Sequence, residues 1–159
     1  MLSLMYIANV GRKKHMELLK KVRRMFDQSS RAEIRKDTFF VYVKIPEDLQ
    51  PIPRGEKYED SLQVRLESLK FGRLTGGGSE LGENHPDGTP SVEFCGLDIE
   101  VNTLPEGLAF LRNALVELGV PIGTQLHYTL GKQKLQDELH EAGWLEGQRR
   151  TFLHPGFGI

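Results

Sequence analysis

The residue types best able to do chemistry crowd between positions 80 and 100. Glu80, Glu83, Asp87, Glu93, Asp98 and Glu100 lie there, with His85 among them. Oxygen-rich side chains on a loop and a neighbouring strand are what Ca²⁺ or Mg²⁺ needs. The alternating acids of a calcium-binding loop are nevertheless missing before Asp87-Gly88. Asp98 and Glu100 are two residues apart, so on a strand they share a face. Two carboxylates so placed are also the equipment of a glycosidase-like hydrolase. Neither pattern is specific, and the plainer expectation is an acidic face turned to solvent or to a partner. The residues expected to meet that partner are Asp87, Glu93, Asp98 and Glu100. A hydrolase or metal-dependent enzyme built from the same acids and His85 is the alternative.

Other motifs point to structure before chemistry. Gly76-Gly77-Gly78 is followed directly by Ser79 with no lysine, so the phosphate-cradling loop pattern fails. Glycines in a strand suit a bulge or the close approach of a helix. Cys95 is the single cysteine, which excludes an internal disulfide. Beside Gly96 in a strand-like run it is expected to be a buried structural thiol. His15, His85, His127, His140 and His154 form no metal-ligating spacing. His154, in Leu-His-Pro-Gly-Phe-Gly, is expected to belong to a tail that docks through Phe152 and Phe157. No catalytic residue and no cofactor is assigned.

Charge is unevenly placed. Lys and Arg total 21 against 22 acids, a net charge of −1, which excludes a uniformly basic nucleic-acid binder. Residues 1–36 nevertheless hold ten bases and three acids, a net +7, and the rest of the chain is −8. Lys13, Lys14, Lys20, Lys21, Arg23 and Arg24 form a basic arm. Nucleic-acid contact through that arm is a further alternative. From 80 to 117 there are eight acids and only Arg112. No apolar run is long enough to span a membrane, and the expected compartment is the cytoplasm.

These residues need elements to position them. Residues 1–15 place an apolar stretch before Gly11-Arg-Lys-Lys14, the reverse of a secretory signal. They are expected to be a poorly ordered leader, with Met16 as a natural start. Leu18, Leu19, Val22, Met25 and Phe26 predict a basic amphipathic helix in an arm over 16–36. Strands are predicted at 38–45, 72–81, 91–102 and 124–130. Tyr58, Leu62, Leu66 and Leu69 predict a helix over 56–70, with Pro46, Pro51 and Pro53 confining it to that side of the loop. Leu104, Leu108, Leu111, Leu115 and Leu118 predict another over 105–118, capped by Gly119. Val92 and Phe94 are out of phase with Leu97, Ile99 and Val101, which calls for a β-bulge at Cys95-Gly96. Leu135, Leu139 and Trp144 predict a short helix over 134–146.

That order is β-α-β-β-α-β. It predicts an α+β, ferredoxin-like domain over 37–131: four antiparallel strands with two helices on one face. The other face would carry Glu93, Asp98 and Glu100. Residues 132–159 would be an extension docking on it. Tyr58-Glu-Asp60, Gly72-Arg-Leu-Thr-Gly-Gly-Gly-Ser79, Leu97-Asp-Ile-Glu-Val101 and Leu118-Gly-Val-Pro-Ile-Gly-Thr-Gln-Leu126 resemble a family of small bacterial domains. That resemblance implies a compact α+β fold and no assigned activity. The function expected is a non-enzymatic protein-binding module that offers an acidic surface to a basic partner. A toxin-neutralising immunity protein is its concrete form. A free sheet edge would also let two copies pair.

Overall fold

The computed structural model describes residues 37–151 and 154. The leader and the basic arm, including Lys13, Lys14, Lys20, Lys21, Arg23 and Arg24, lie outside the described residues, as do Phe152 and Phe157.

The fold is a six-stranded antiparallel sheet. β1 (Phe39–Ile45) is followed by a helical run made of α1 (Pro51–Arg54), a wider turn at Gly55–Glu59, and α2 (Asp60–Ser68). Then come β2 (Gly72–Leu81), β3 (Val92–Val101), α3 (Leu104–Glu117), β4 (Gln125–Leu130), β5 (Gln133–His140) and β6 (Gly143–Arg149). Across the sheet the order is β2-β3-β1-β4-β5-β6. The expected four-stranded ferredoxin-like α+β layout is therefore corrected to a predominantly antiparallel six-stranded sheet with two helical stretches.

The helix expected over 134–146 is a β-hairpin. Leu135 and Leu139 are four apart, a spacing that fits either structure. Asp137, fully buried between them, shows the period is two. Lys, Gln and Glu favour helix only weakly, and the open edge of β4 outweighs them by offering a full ladder of backbone hydrogen bonds. The first helical run also starts earlier than expected, at Pro51. Proline costs nothing in a first turn, whose N–H groups have no partner within the helix.

Alternation divides β1 and β3 cleanly. Val41, Val43, Ile45, Cys95, Leu97, Ile99 and Val101 are buried in one core with Leu62 and Leu66 of α2 and Leu108, Leu111 and Leu115 of α3. Phe40, Tyr42 and Lys44 alternate with the core residues of β1 and lie on the opposite face, as do Asp98 and Glu100 of β3. The bulge expected at Cys95-Gly96 is not there, since β1 and β3 pair without interruption from Ile45↔Cys95 to Phe39↔Val101. The register instead slips against β2, once around Glu93 and once around Thr75. The slip at Glu93 buries Val92 and moves Phe94 to the opposite face, under the Lys44 ammonium at 4.4 Å.

Buried polar groups tie the hairpin to α3. Asp137 accepts from Tyr128 Oη, Arg112 Nη1 and the Gly147 N–H, each at 2.8 Å. Trp144 Nε1 donates to the Arg112 carbonyl at 3.3 Å.

Candidate functional site

The face of the sheet opposite the core is built around Tyr42. Its in-register neighbours are Asp98 on β3 and His127 on β4. Gly96 makes room for it, because a Cβ there would stand 2.6 Å from Tyr42 Cε2. His154 lies on the ring, stacked at 4.0 Å and 19°, with Nε2 3.7 Å from Asp98 Oδ1. It also stacks on Phe40 at 5.8 Å. The C-terminal segment thus reaches the sheet at His154.

The electrostatics of this face set what it can do. Burial, then Asp98 and Glu80, push the Tyr42 phenol up to about 12. Burial, then Arg150, Lys44 and His154, push the His127 imidazole down to about 3. His127 Nε2 meets Gln125 Oε1 at 2.8 Å. Near neutral pH the phenol keeps its proton and the imidazole stays uncharged. Efficient general acids and bases titrate near the working pH, so this pair is suited to holding shape and contacts.

The acids singled out by sequence are spread apart. Asp87, in the β2–β3 loop, accepts from its neighbour Thr89 at both N–H (2.9 Å) and Oγ1 (2.7 Å), which holds its carboxyl below the usual range. His85 pairs with Asp48 at 2.8 Å. Glu100 receives Arg73 through Nε (3.0 Å) and Nη2 (2.7 Å). Asp98 faces Gly76 and His154. Glu93 is exposed at the register slip. Among the described residues, no three His, Cys, Asp or Glu side chains come together to hold a metal ion. What the structure does gather is an acidic hairpin. Glu80, Glu83, Asp87 and Glu93 are all exposed on β2, β3 or their loop. None of the four is in an ion pair among the described residues.

The remaining motifs are structural. Gly77 leaves space for the ion pair of Arg54 and Glu59, where a Cβ would meet Glu59 Oε1 at 2.8 Å. Arg54 Nη1 goes on to donate to Ser79 Oγ at 2.8 Å. Cys95 is buried, its Sγ facing the carbonyls of Glu47 (3.3 Å) and Leu49 (3.5 Å), and burial raises its thiol above the ordinary value. His140 sits 3.4 Å from Glu138. Sequence reasoning missed Asp137 because a lone acid in a polar stretch reads as solvated. The signal available was its even spacing from Leu135 and Leu139.

No family model, curated protein or solved structure matches this chain. Among the described residues, no helix is long and apolar enough to cross a membrane.

Proposed function

We propose that this protein is a binding module whose acidic β2–β3 hairpin meets a basic protein partner, with neutralisation of a basic toxin as the concrete form. The observation that carries it is the exposed quartet Glu80, Glu83, Asp87 and Glu93 on one hairpin, with no Lys or Arg among the described residues pairing with it. Charges left uncompensated on a surface steer encounter with an oppositely charged partner and set its orientation more than its affinity. Asp98 and Glu100 contribute less, because His154 and Arg73 already face them. The hairpin is well braced for such a role. Val92 N–H donates to Asp48 Oδ1 at 2.8 Å, and Gln50 Nε2 donates to the Pro90 carbonyl at 2.9 Å.

The test compares the native chain with the Glu83→Lys/Asp87→Lys/Glu93→Lys variant as baits in native lysate, at low and moderate ionic strength. The native chain should retain a basic protein that the variant releases, with retention weakening as salt rises. Equal retention by both baits, or recovery of no basic protein by either, refutes the reading.

A further inference from the structure

We infer that the cleft between the β4–β5 turn and the end of β6 is a binding site for a ligand carrying two or more phosphate groups. The cleft is open to solvent, has a volume of about 520 Å³ and is lined by Lys132, Lys134, Arg149 and Arg150, with Leu135 and Gly147. Among the described residues, no carboxylate lines it. Small-molecule sites commonly fall between about 300 and 1,000 Å³, so the space suits a ligand of nucleotide size.

Three exposed cations, Lys132, Lys134 and Arg149, repel one another in this cleft, and the fold holds them there. Lys132 sits in the two-residue β4–β5 turn and Lys134 is the second residue of β5. The Arg150 N–H donates to the Lys134 carbonyl at 2.9 Å, which joins the end of β6 to the start of β5. Arg150 is buried, with Nη2 3.4 Å from Thr129 Oγ1, whereas Lys132, Lys134 and Arg149 are exposed. Gly131 (φ 60°) and Gly147 (φ 68°) take left-handed conformations, and the space where a Cβ would stand is open at both. The chemistry points to phosphate, because guanidinium forks match its oxygens two at a time and lysines add point charges. The residues after Lys36 carry −8 in sum, so this run of cations is a local exception in charge. Only a ligand that seats its charges in the cleft gains from it. Its phosphates can come from a free polyphosphate or nucleotide, or from successive links of a nucleic-acid strand.

The experiment titrates the full chain by calorimetry with sodium tripolyphosphate and, separately, with a short single-stranded RNA, each at low and high salt. Three proteins are compared: native, Lys134→Gln/Arg149→Gln, and Lys20→Gln/Lys21→Gln. Both cleft substitutions are at exposed positions, so the fold should survive, and circular dichroism checks that. We expect tripolyphosphate to bind the native chain and the arm variant alike. The cleft variant should bind it at least about tenfold more weakly, as losing two charge-assisted contacts requires. Tighter RNA binding, lost in the same variant and falling steeply with salt, assigns the phosphates to a nucleic-acid strand. Equal or tighter tripolyphosphate binding assigns them to a free ligand. No binding of either probe, or binding weakened only in the arm variant, overturns the site. Neither result touches the acidic hairpin, whose residues lie on β2, β3 and their loop.

Discussion

Asp137 holds three donors at once in a place that water does not reach. Asp137→Ala strands the Tyr128 hydroxyl and the Gly147 N–H, while Arg112 keeps Glu146 at 2.8 Å. Only the Tyr128 hydroxyl is then left both buried and orphaned, since Gly147 is exposed; such a group costs about 1–3 kcal/mol, so the loss should be about 2 kcal/mol in urea unfolding, with Asp137→Asn milder. A loss below about 1 kcal/mol would show that the carboxylate is not what joins the hairpin to α3. His127 makes a pH prediction. Its folded value of about 3 lies below the ordinary 6.5, through burial and the facing Arg150, Lys44 and His154. Between those values the unfolded chain binds a proton that the folded chain refuses. Stability from this group is therefore complete above about pH 6.5 and is lost as pH falls toward 3, at no more than about 1.4 kcal/mol per pH unit. His127→Gln should flatten that part of the stability profile. An unchanged slope would locate the acid sensitivity elsewhere. His127 reads from sequence as an ordinary strand histidine. Its neutrality comes from burial and from charges at Arg150, Lys44 and His154, all distant in sequence, which no local pattern shows.

The packing of α3 on β3 depends on Gly107, because a Cβ there would stand 2.6 Å from Val101 Cβ. Replacing glycine by alanine inside a helix gains about 1 kcal/mol of propensity. Overpacking a core costs about 1–3 kcal/mol, and Val101 Cβ is not a flexible tip that swings aside. Gly107→Ala should therefore destabilise on balance, and adding Val101→Ala should cancel part of the clash, giving a favourable coupling in a double-mutant cycle. Strict additivity would mean the contact is not tight. The leucine stripe of α3 and the alternation in β1 and β3 were legible in the sequence, because each element buries one face and its period shows. The β5–β6 hairpin was not, since Leu135 and Leu139 satisfy both periods and only Asp137 separates them. Of the candidate site, the acids at 80–93 were legible as a group. Their scatter away from Asp98 and Glu100 was not, because it depends on where the β2–β3 ladder slips.

For the whole molecule, the sheet runs unbroken from β2 to β6, so the hairpin should not unfold ahead of the rest. Trp144 reports on it directly. Its fluorescence and the far-ultraviolet circular dichroism should share one denaturant midpoint, as two-state unfolding demands. A lower midpoint for Trp144 would make the hairpin a separately melting unit. The same sheet separates the charges, with the acidic hairpin toward the β2 edge and the basic cleft toward the β6 edge. A net charge of −1 conceals that arrangement.

What the amino-acid order determined alone was local: the positions of β1 to β4, the apolar faces of α2 and α3, and the cap at Gly119, whose φ is 75°. Each follows from side-chain period or backbone freedom over a few residues. Only the tertiary structure decided that 133–149 extends the sheet, that His154 stacks on Tyr42, and that Lys132, Lys134, Arg149 and Arg150 line one cleft. The reason is that strand partners and like-charged neighbours are chosen across long stretches of chain, where burial and backbone hydrogen bonding outweigh local preference.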